Sequence, residues 1–308
     1  MIGARSHEPT FDVAIVGGSF AGVSAAMQLA RARRRVLLID AGKPRNRFAA
    51  HSHGFLGQDG RPPGAIIGTA RDQVLAYPTA RYFHGEAVNA RPARDGFDLD
   101  LSDGRSVTAQ RLILATGVRD ELPDIAGIQA RWGASVFHCP YCHGFEVADR
   151  QLAVIANHAM SAHQAILIAD WGPVTYFTQG RFAPDAAERA LMQARGVAVI
   201  DTPVVELLGA GTTVEAVRLA DGEVIAIDAI FTAPKTHMAS DLAEALGCGL
   251  DDGPVGPLIR TDDMKQTTVE GVFAAGDAAA AMSNATMASA AGVMAGVAAH
   301  RSLIFSPS

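Results

Sequence analysis

Residues 12–40 read DVAIVGGSFAGVSAAMQLARARRRVLLID, and this stretch decides the fold. Residues 12–16 are a short apolar run suited to a buried strand. A helical stretch from about Gly22 to Arg34 follows, and residues 36–40 make a second strand closed by Asp40. That is a β-α-β unit with the loop GGSFAG, residues 17–22, at its first turn. Gly17 allows the tight turn and Gly22 allows the helix to pack closely on the sheet. The helix N-terminus then offers amides and partial positive charge to a pyrophosphate. Asp40 closes the second strand, where an acid meets a ribose hydroxyl. Ser19 stands where the middle glycine is usual, and a small serine still permits fairly close approach. The alternative is a purely structural turn; the strand–loop–helix context favours a nucleotide cradle.

The same plan recurs. Residues 152–156 are again a short apolar run, a helical stretch spans about 160–170, and residues 174–177 form the next strand. The tails of the two units also match: LSDGRSVTAQRLILATG in the first, LADGEVIAIDAIFTAP in the second. Aligning Asp103-Gly104 with Asp221-Gly222 sets Ala115 opposite Ala233 without a gap, and each Asp-Gly marks a hairpin turn. The chain therefore reads as an α/β protein with two Rossmann-like dinucleotide-binding domains of the three-layer ββα type. The segment GVFAAGDAAA, starting at Gly271, supplies one more buried strand with no counterpart in the second copy. It is expected to return to the first domain, so the second domain is inserted: residues 1–121, then 122–237, then 238–308, with hinges near 117–123 and 233–238. Asp277, after Gly276 at that strand's end, suits a polyol contact; a helix N-cap is the other reading.

Composition limits the function. The 308 residues allow about two domains, and 49% hydrophobic with 19% charged residues excludes extensive disorder. A net charge of −6 speaks against nucleic-acid binding by phosphate neutralisation. The first ten residues, MIGARSHEPT, contain no apolar signal core, so a cytoplasmic protein is expected. The uncharged stretch 278–299 is mostly alanine and is expected to pack as a small-residue helix, not to span a membrane. Three cysteines are no disulfide framework.

Two of those cysteines lie in HCPYCHG, residues 138–144. Four readings compete. C-type haem attachment would need export, and zinc would need a fourth ligand beyond Cys139, Cys142 and a histidine; no metal is expected. Two inert structural thiols are the third. A redox dithiol is favoured: cysteines two residues apart at a helix start can close a small ring, and helix dipole and histidines stabilise a thiolate. His143 could move protons to and from the sulfurs near neutral pH. Cys248, in GCG, has no partner motif and reads as a packed thiol.

With GGSFAG at 17–22, ATG at 115–117, the C-P-Y-C at 139–142 and GVFAAGD at 271–277, the chain resembles the low-molecular-weight thioredoxin reductase family over nearly its whole length. The resemblance implies FAD in the first domain, held by Gly17, Gly18, Ser19, Phe20, Ala21 and Gly22 with Asp40. Ala115, Thr116 and Gly117 would complete that site with Gly276 and Asp277, the last on the ribitol chain. It implies a homodimer, and it implies that Cys139 and Cys142 face the flavin in one domain orientation, with Cys142 as the sulfur in contact. The catalytic set is then Cys139, Cys142 and His143.

Two departures matter. His143 stands where the family usually has aspartate. The second β-α turn reads VIANHAMSAH, residues 154–163, with Ala156 and His158 in place of glycines. His158 would project a side chain where backbone must approach a pyrophosphate, and only Arg181 lies near the expected 2′-phosphate position. NADPH binding is therefore doubtful. The C-P-Y-C-H-G-F-E variant is similar to a subgroup that includes the dithiol oxidases of gliotoxin and holomycin biosynthesis. The expected activity is FAD-dependent thiol–disulfide exchange with a small dithiol or a thioredoxin-like protein, with oxygen or another acceptor. An NADPH-dependent reductase and a non-catalytic flavin-bearing sensor are the alternatives. His51 and His53, before Gly54-Phe55-Leu56-Gly57, are either flavin neighbours or ordinary loop residues.

Overall fold

A computed structural model describes residues 11–282 and 284–305. In chain order it begins with β1 (Phe11–Val16), α1 (Phe20–Arg31), β2 (Val36–Asp40), α2 (Pro63–Leu75), β3 (Ala80–His84), β4 (Ala87–Ala93), β5 (Gly96–Leu101), β6 (Ser106–Leu114) and β7 (Val118–Glu121). Next come α3 (Ile128–Arg131), β8 (Val136–Phe137), α4 (Pro140–His143), β9 (Leu152–Ile155), α5 (Ser161–Ile168), β10 (Val174–Phe177), α6 (Ala186–Ala194) and β11 (Ala198–Ile200). The meander β12 (Val204–Leu208), β13 (Ala216–Leu219) and β14 (Val224–Ala226) leads to β15 (Ala229–Phe231) and β16 (Lys235–Met238). Last are α7 (Leu242–Ala245), β17 (Leu250–Asp252), β18 (Pro257–Ile259), β19 (Val272–Ala274) and α8 (Ala285–Phe305).

Among the described residues these elements form two compact units: those from 11 to 47, 64–119 and from 237 to the end of α8 in one, and 48–63 with 120–236 in the other. The segment 48–63, which the sequence reading kept with the first half, folds with the second unit.

In the first unit β2, β1 and β6 run parallel, with β3 beyond β2. One edge of the nine-residue β6 serves two partners. Its early residues pair antiparallel with β5, and its last three pair parallel with β19. The returning strand thus takes over the edge where the meander peels away. The inner strands β1, β2 and β19 are apolar apart from Asp12 and Asp40, as sheets covered on both faces require, and Val13, Ala14, Ile15, Ile113 and Val272 are fully buried.

α8 packs on α1 through glycines. A Cβ on Gly292 would come within 2.0 Å of the Ala21 carbonyl oxygen, and one on Gly296 within 2.8 Å of that of Ala25. By length and composition α8 is also apolar enough to cross a membrane. It starts at Ala285, later than the small-residue stretch suggested, because residues 276–279 form a separate 3₁₀ turn.

The second unit repeats the plan with β11, β10, β9, β15 and β8 in a parallel sheet. Its meander is a separate sheet. The sequence shows why. Where the first copy runs unbroken through Gln110, the second has Asp228. Asp228 lies in the break between β14 and β15, and its carboxylate accepts from the Gln151 N–H at 2.9 Å just before the pairing of β15 with β9 begins. Both Asp-Gly turns close antiparallel hairpins, with Gly104 at φ 86° and Gly222 at φ 94°, backbone geometry that favours glycine.

Candidate functional site

The nucleotide loop of the first unit leaves β1 at Gly17, whose φ is 106°. A Cβ there would lie 2.1 Å from the Ala115 carbonyl oxygen, so Gly17 brings the loop against the Ala115-Thr116-Gly117 turn. A Cβ on Gly22 would sit 1.7 Å from the Gly17 carbonyl oxygen, so only glycine permits this strand–helix approach. Ser19 is the N-cap of α1 and keeps an extended backbone, while Phe20 and Ala21 are buried in the first turn. A Cβ on Gly18 would strike the Asp40 side chain at 2.6 Å, so loop and acid are adjacent. Asp40 also accepts from the Gly42 N–H at 3.2 Å. These residues fit a dinucleotide: a helix terminus without a side-chain cap for pyrophosphate and a neighbouring carboxylate for ribose.

Asp277 does not cap a helix. It lies in the first turn after Gly276, itself at φ 76°, and its carboxylate pairs with the Arg45 guanidinium at 2.9 Å. Both side chains are mostly buried. Arg45 was not singled out from the sequence, since nothing local links it to a strand end more than two hundred residues away.

The cysteines belong to the second unit. Cys139 is the N-cap of α4, Pro140 follows as its first residue, and Cys142 lies within the turn. Proline at the first helical position costs no hydrogen bond, which makes this start favourable. The two sulfurs lie 2.6 Å apart. The Cys142 thiol donates to Cys139, and with the amides of Cys142 and Tyr141 it outweighs burial and brings the Cys139 thiol down to about 7. The same contact with Cys139, together with burial and the Glu146 carboxylate, pushes the Cys142 thiol up. One thiolate is thus held on Cys139, and Cys142 keeps its proton.

His143 follows directly. Its ring stacks on Phe137, centroids 4.5 Å apart. Burial lowers its basicity, the Glu146 carboxylate raises it and His53 lowers it. Tyr141 packs edge-on against Trp171 at 5.6 Å, and Gly144 leaves room for that indole: a Cβ would meet Trp171 Nε1 at 2.7 Å. The loop 48–63 lies beside this segment. His53 Nε2 is 3.4 Å from Glu146 Oε1, and His53 Nδ1 is 3.6 Å from Asp59 Oδ1. Glu146 sits inside the quoted C-P-Y-C-H-G-F-E motif without having been assigned a role, and its link to His53 is invisible to sequence spacing. Among the described residues no cluster of three or more His, Cys, Asp or Glu could hold a metal ion. Cys248 is buried and faces Thr267 at 3.5 Å, away from both sites in the sequence and packed as a plain thiol.

At the second β-α turn the loop is closed on itself. Ser161 Oγ accepts from the Asn157 N–H at 3.1 Å and the His158 N–H at 3.3 Å. His158 Nδ1 accepts from the Met160 N–H at 3.0 Å. Asn157 Nδ2 reaches the Ala233 carbonyl. His158 Nε2 is buried without a partner.

Two dinucleotide-type units, one of them carrying a paired-cysteine helix start, define an oxidoreductase of the thiol–disulfide kind. Residues 11–292 match the pyridine nucleotide-disulphide oxidoreductase family, and the chain belongs to it. It is 32% identical over 307 residues to a Claviceps purpurea protein named thioredoxin reductase tcpT, covering 95% of this chain and 94% of that one. It is 31% identical to thioredoxin reductase sirT of Leptosphaeria maculans, covering 93% and 92%. The crystal structure of an oxidoreductase from Agrobacterium tumefaciens superposes with a TM-score of 0.93 at 50% identity, covering 97% of this chain and all of that one. The protein is a thioredoxin reductase-like flavoprotein enzyme.

Proposed function

We propose that this enzyme oxidises a substrate dithiol through Cys139 and Cys142 and FAD, without using NADPH. The observation that carries the reading is the closed second loop. The amides of Asn157, His158 and Met160, which would have to meet a pyrophosphate, are already satisfied by Ser161 and His158. Arg181, the one arginine near the expected 2′-phosphate position, lies over the Phe182 ring at 5.7 Å.

The first unit, by contrast, starts α1 without a side-chain cap at Ser19. Gly17, Gly18, Ser19, Phe20, Ala21 and Gly22 would hold the pyrophosphate and Asp40 the ribose. The Ala115-Thr116-Gly117 turn and Gly276-Asp277 would hold the remainder. Held there, FAD would supply the two-electron redox chemistry that links the cysteine pair to oxygen or another acceptor.

The chain's own residues handle sulfur and protons. A substrate thiolate attacks Cys139 Sγ of the disulfide; the Cys139–Cys142 bond breaks and a mixed disulfide forms. Cys142 departs in a buried site beside the Glu146 carboxylate, both of which push its thiol up, so it takes a proton, the one that neutral His143 has removed from the attacking substrate thiol. The second substrate thiol, deprotonated, attacks its own sulfur in the mixed disulfide and releases Cys139 as the thiolate the helix start favours. A homodimer, a cytoplasmic setting and an inserted second domain go with this reading. The exposed Met287, Val293, Met294 and Val297 of α8 offer an apolar face for self-association.

The test is anaerobic reduction of the yellow holoprotein. Dithiothreitol should bleach the visible flavin band, and NADPH should not. Rapid bleaching by NADPH overturns the reading.

A further inference from the structure

The cysteine helix α4 is a single turn of four residues, too short to be stable by itself. The geometry of Cys139, its N-cap at φ −103° and ψ 116°, is therefore set by what holds the chain on either side. On the far side Gly144 lies against Trp171, and Tyr141 meets the same indole edge-on. On the near side the two carbonyls before Cys139 are both held. The Phe137 oxygen accepts from the Thr232 N–H at 2.9 Å, which continues the pairing of β15 with β8. The His138 oxygen accepts from Gln164 Nε2 at 2.8 Å, and Gln164 lies on α5. The carbonyl partner fixes the orientation of that amide, since the flipped form would set oxygen against oxygen.

The bond leaves Gln164 Oε1 buried without a partner. A neutral hydrogen bond adds little net stability, and an orphaned buried oxygen removes at least as much, so stability alone does not account for a glutamine here. What the bond does fix is a peptide plane. The His138 carbonyl and the Cys139 nitrogen share it, so holding the oxygen limits rotation about the Cys139 N–Cα bond. That rotation sets where the Cys139 sulfur lies relative to the Cys142 sulfur, 2.6 Å away, and to the amides of Cys142 and Tyr141.

We propose that Gln164 is a positioning residue for the cysteine pair: from α5 it clamps the peptide before Cys139 and keeps that sulfur at the helix start, against Cys142. The inference rests on the dithiol exchange proposed above, in which Cys139 is the sulfur that the substrate attacks. α5 then has a use in the second unit that involves no dinucleotide. Ser161 closes the loop at its start, and Gln164, three residues on, ties it to the redox segment. On that segment the titratable groups near Cys139 are His138, Cys142, His143 and Glu146; the loop 48–63 brings His53 to Glu146, and α5 carries His163. Neutral replacements of Gln164 leave all of these charges in place.

The test measures iodoacetamide alkylation of Cys139 in the reduced holoprotein, read by peptide mass, from about pH 5.5 to about pH 9.5, a range that spans thiol titration. Wild type should show an inflection near pH 7. In Gln164→Met and Gln164→Leu, both good helix formers, the inflection should move up by about one unit. Alkylation near pH 7 should then slow about fivefold, with rates converging on wild type above about pH 9. The urea midpoint should stay close to that of wild type, because the orphaned oxygen goes with the bond. Thr178→Val is the control for general loosening. It removes a buried hydroxyl that bonds Asp201 elsewhere in the same unit, and should lower the urea midpoint without moving the inflection. An inflection that stays put in both Gln164 variants overturns the proposal, and so does an equal shift in Thr178→Val. Failure of both Gln164 variants to fold overturns it too, by making Gln164 a folding residue. Dithiothreitol bleaching is followed in parallel. A wild type that is not bleached sinks the exchange reading, while alkylation still decides the clamp. A bleached wild type with unmoved inflections sinks the clamp alone.

Discussion

The Nδ1 atom of His158 accepts the backbone N–H of Met160 at 3.0 Å, so a side chain occupies the helix terminus that a pyrophosphate would otherwise cap. Its Nε2 is buried with no partner. Replacing His158 by alanine removes one hydrogen bond, a loss of about 1 kcal/mol, and also removes an unsatisfied buried polar atom, a gain of about 1–3 kcal/mol. His158→Ala is therefore expected to shift stability by no more than about 2 kcal/mol, towards greater stability, in a urea titration. It should not confer NADPH-driven bleaching, because Ser161 still holds two of the loop amides.

Burial lowers the basicity of both His143 and His158 below the ordinary histidine value of 6.5. Above that value both are neutral in the folded and unfolded chains, and they contribute no pH dependence. As pH falls below 6.5, the unfolded chain takes up the protons first, so stability drops until the folded-state values are passed. The urea midpoint should therefore fall between about pH 7.5 and about pH 5.5, a window above most carboxylate titrations. His158→Gln should flatten that slope. An equal slope in the variant would show that other groups cause it.

Much of this organisation is legible from local pattern, and the parts that are not have a physical reason. The β-α-β unit of residues 12–40 and both Asp-Gly hairpins depend on neighbours in sequence, so periodicity and turn residues reveal them. The missing glycines at Ala156 and His158 are equally visible. What fills the gap is not, because Ser161 and His158 bond the loop through geometry that appears only once α5 has formed. The docking of 48–63 beside Glu146 and the pairing of Arg45 with Asp277 join residues far apart in the chain, and no spacing rule announces either. The end of α1 at Arg31, short of the expected Arg34, follows from Arg33 adopting φ 61°.

Two glycines set a packing limit in the first unit at different distances from the cradle. Gly22 faces the Gly17 carbonyl oxygen and Gly292 faces that of Ala21, with room for no Cβ at either. Gly22→Ala should strip the flavin and destabilise the fold by about 1–3 kcal/mol or more, the usual penalty of overpacking. Gly292→Ala should cost a similar amount through separation of α8 from α1, with bound flavin retained at low temperature. Thermal unfolding and flavin content per chain measure both. Unaltered stability in Gly292→Ala would mean that α8 is free to shift away.

The sulfur chemistry gives the sharpest test, because the two thiols are driven apart. Cys139 is brought down to about 7 chiefly by the thiol of Cys142, whereas Cys142 is pushed up. In the reduced protein, iodoacetamide should alkylate Cys139 first, with a rate that rises through an inflection near pH 7. Peptide mass mapping identifies the modified residue. Cys142→Ala removes the S–H donor, so the Cys139 inflection should move to higher pH. Cys142→Ser should do a second thing: with no sulfur left to displace it, a disulfide-bonded probe of the substrate type should stay attached to Cys139 as a stable mixed disulfide. Intact-mass measurement would show the adduct, and a reducing agent would remove it. Alkylation of Cys142 ahead of Cys139, or an inflection that ignores the loss of Cys142, would reverse the assignment of roles within the pair.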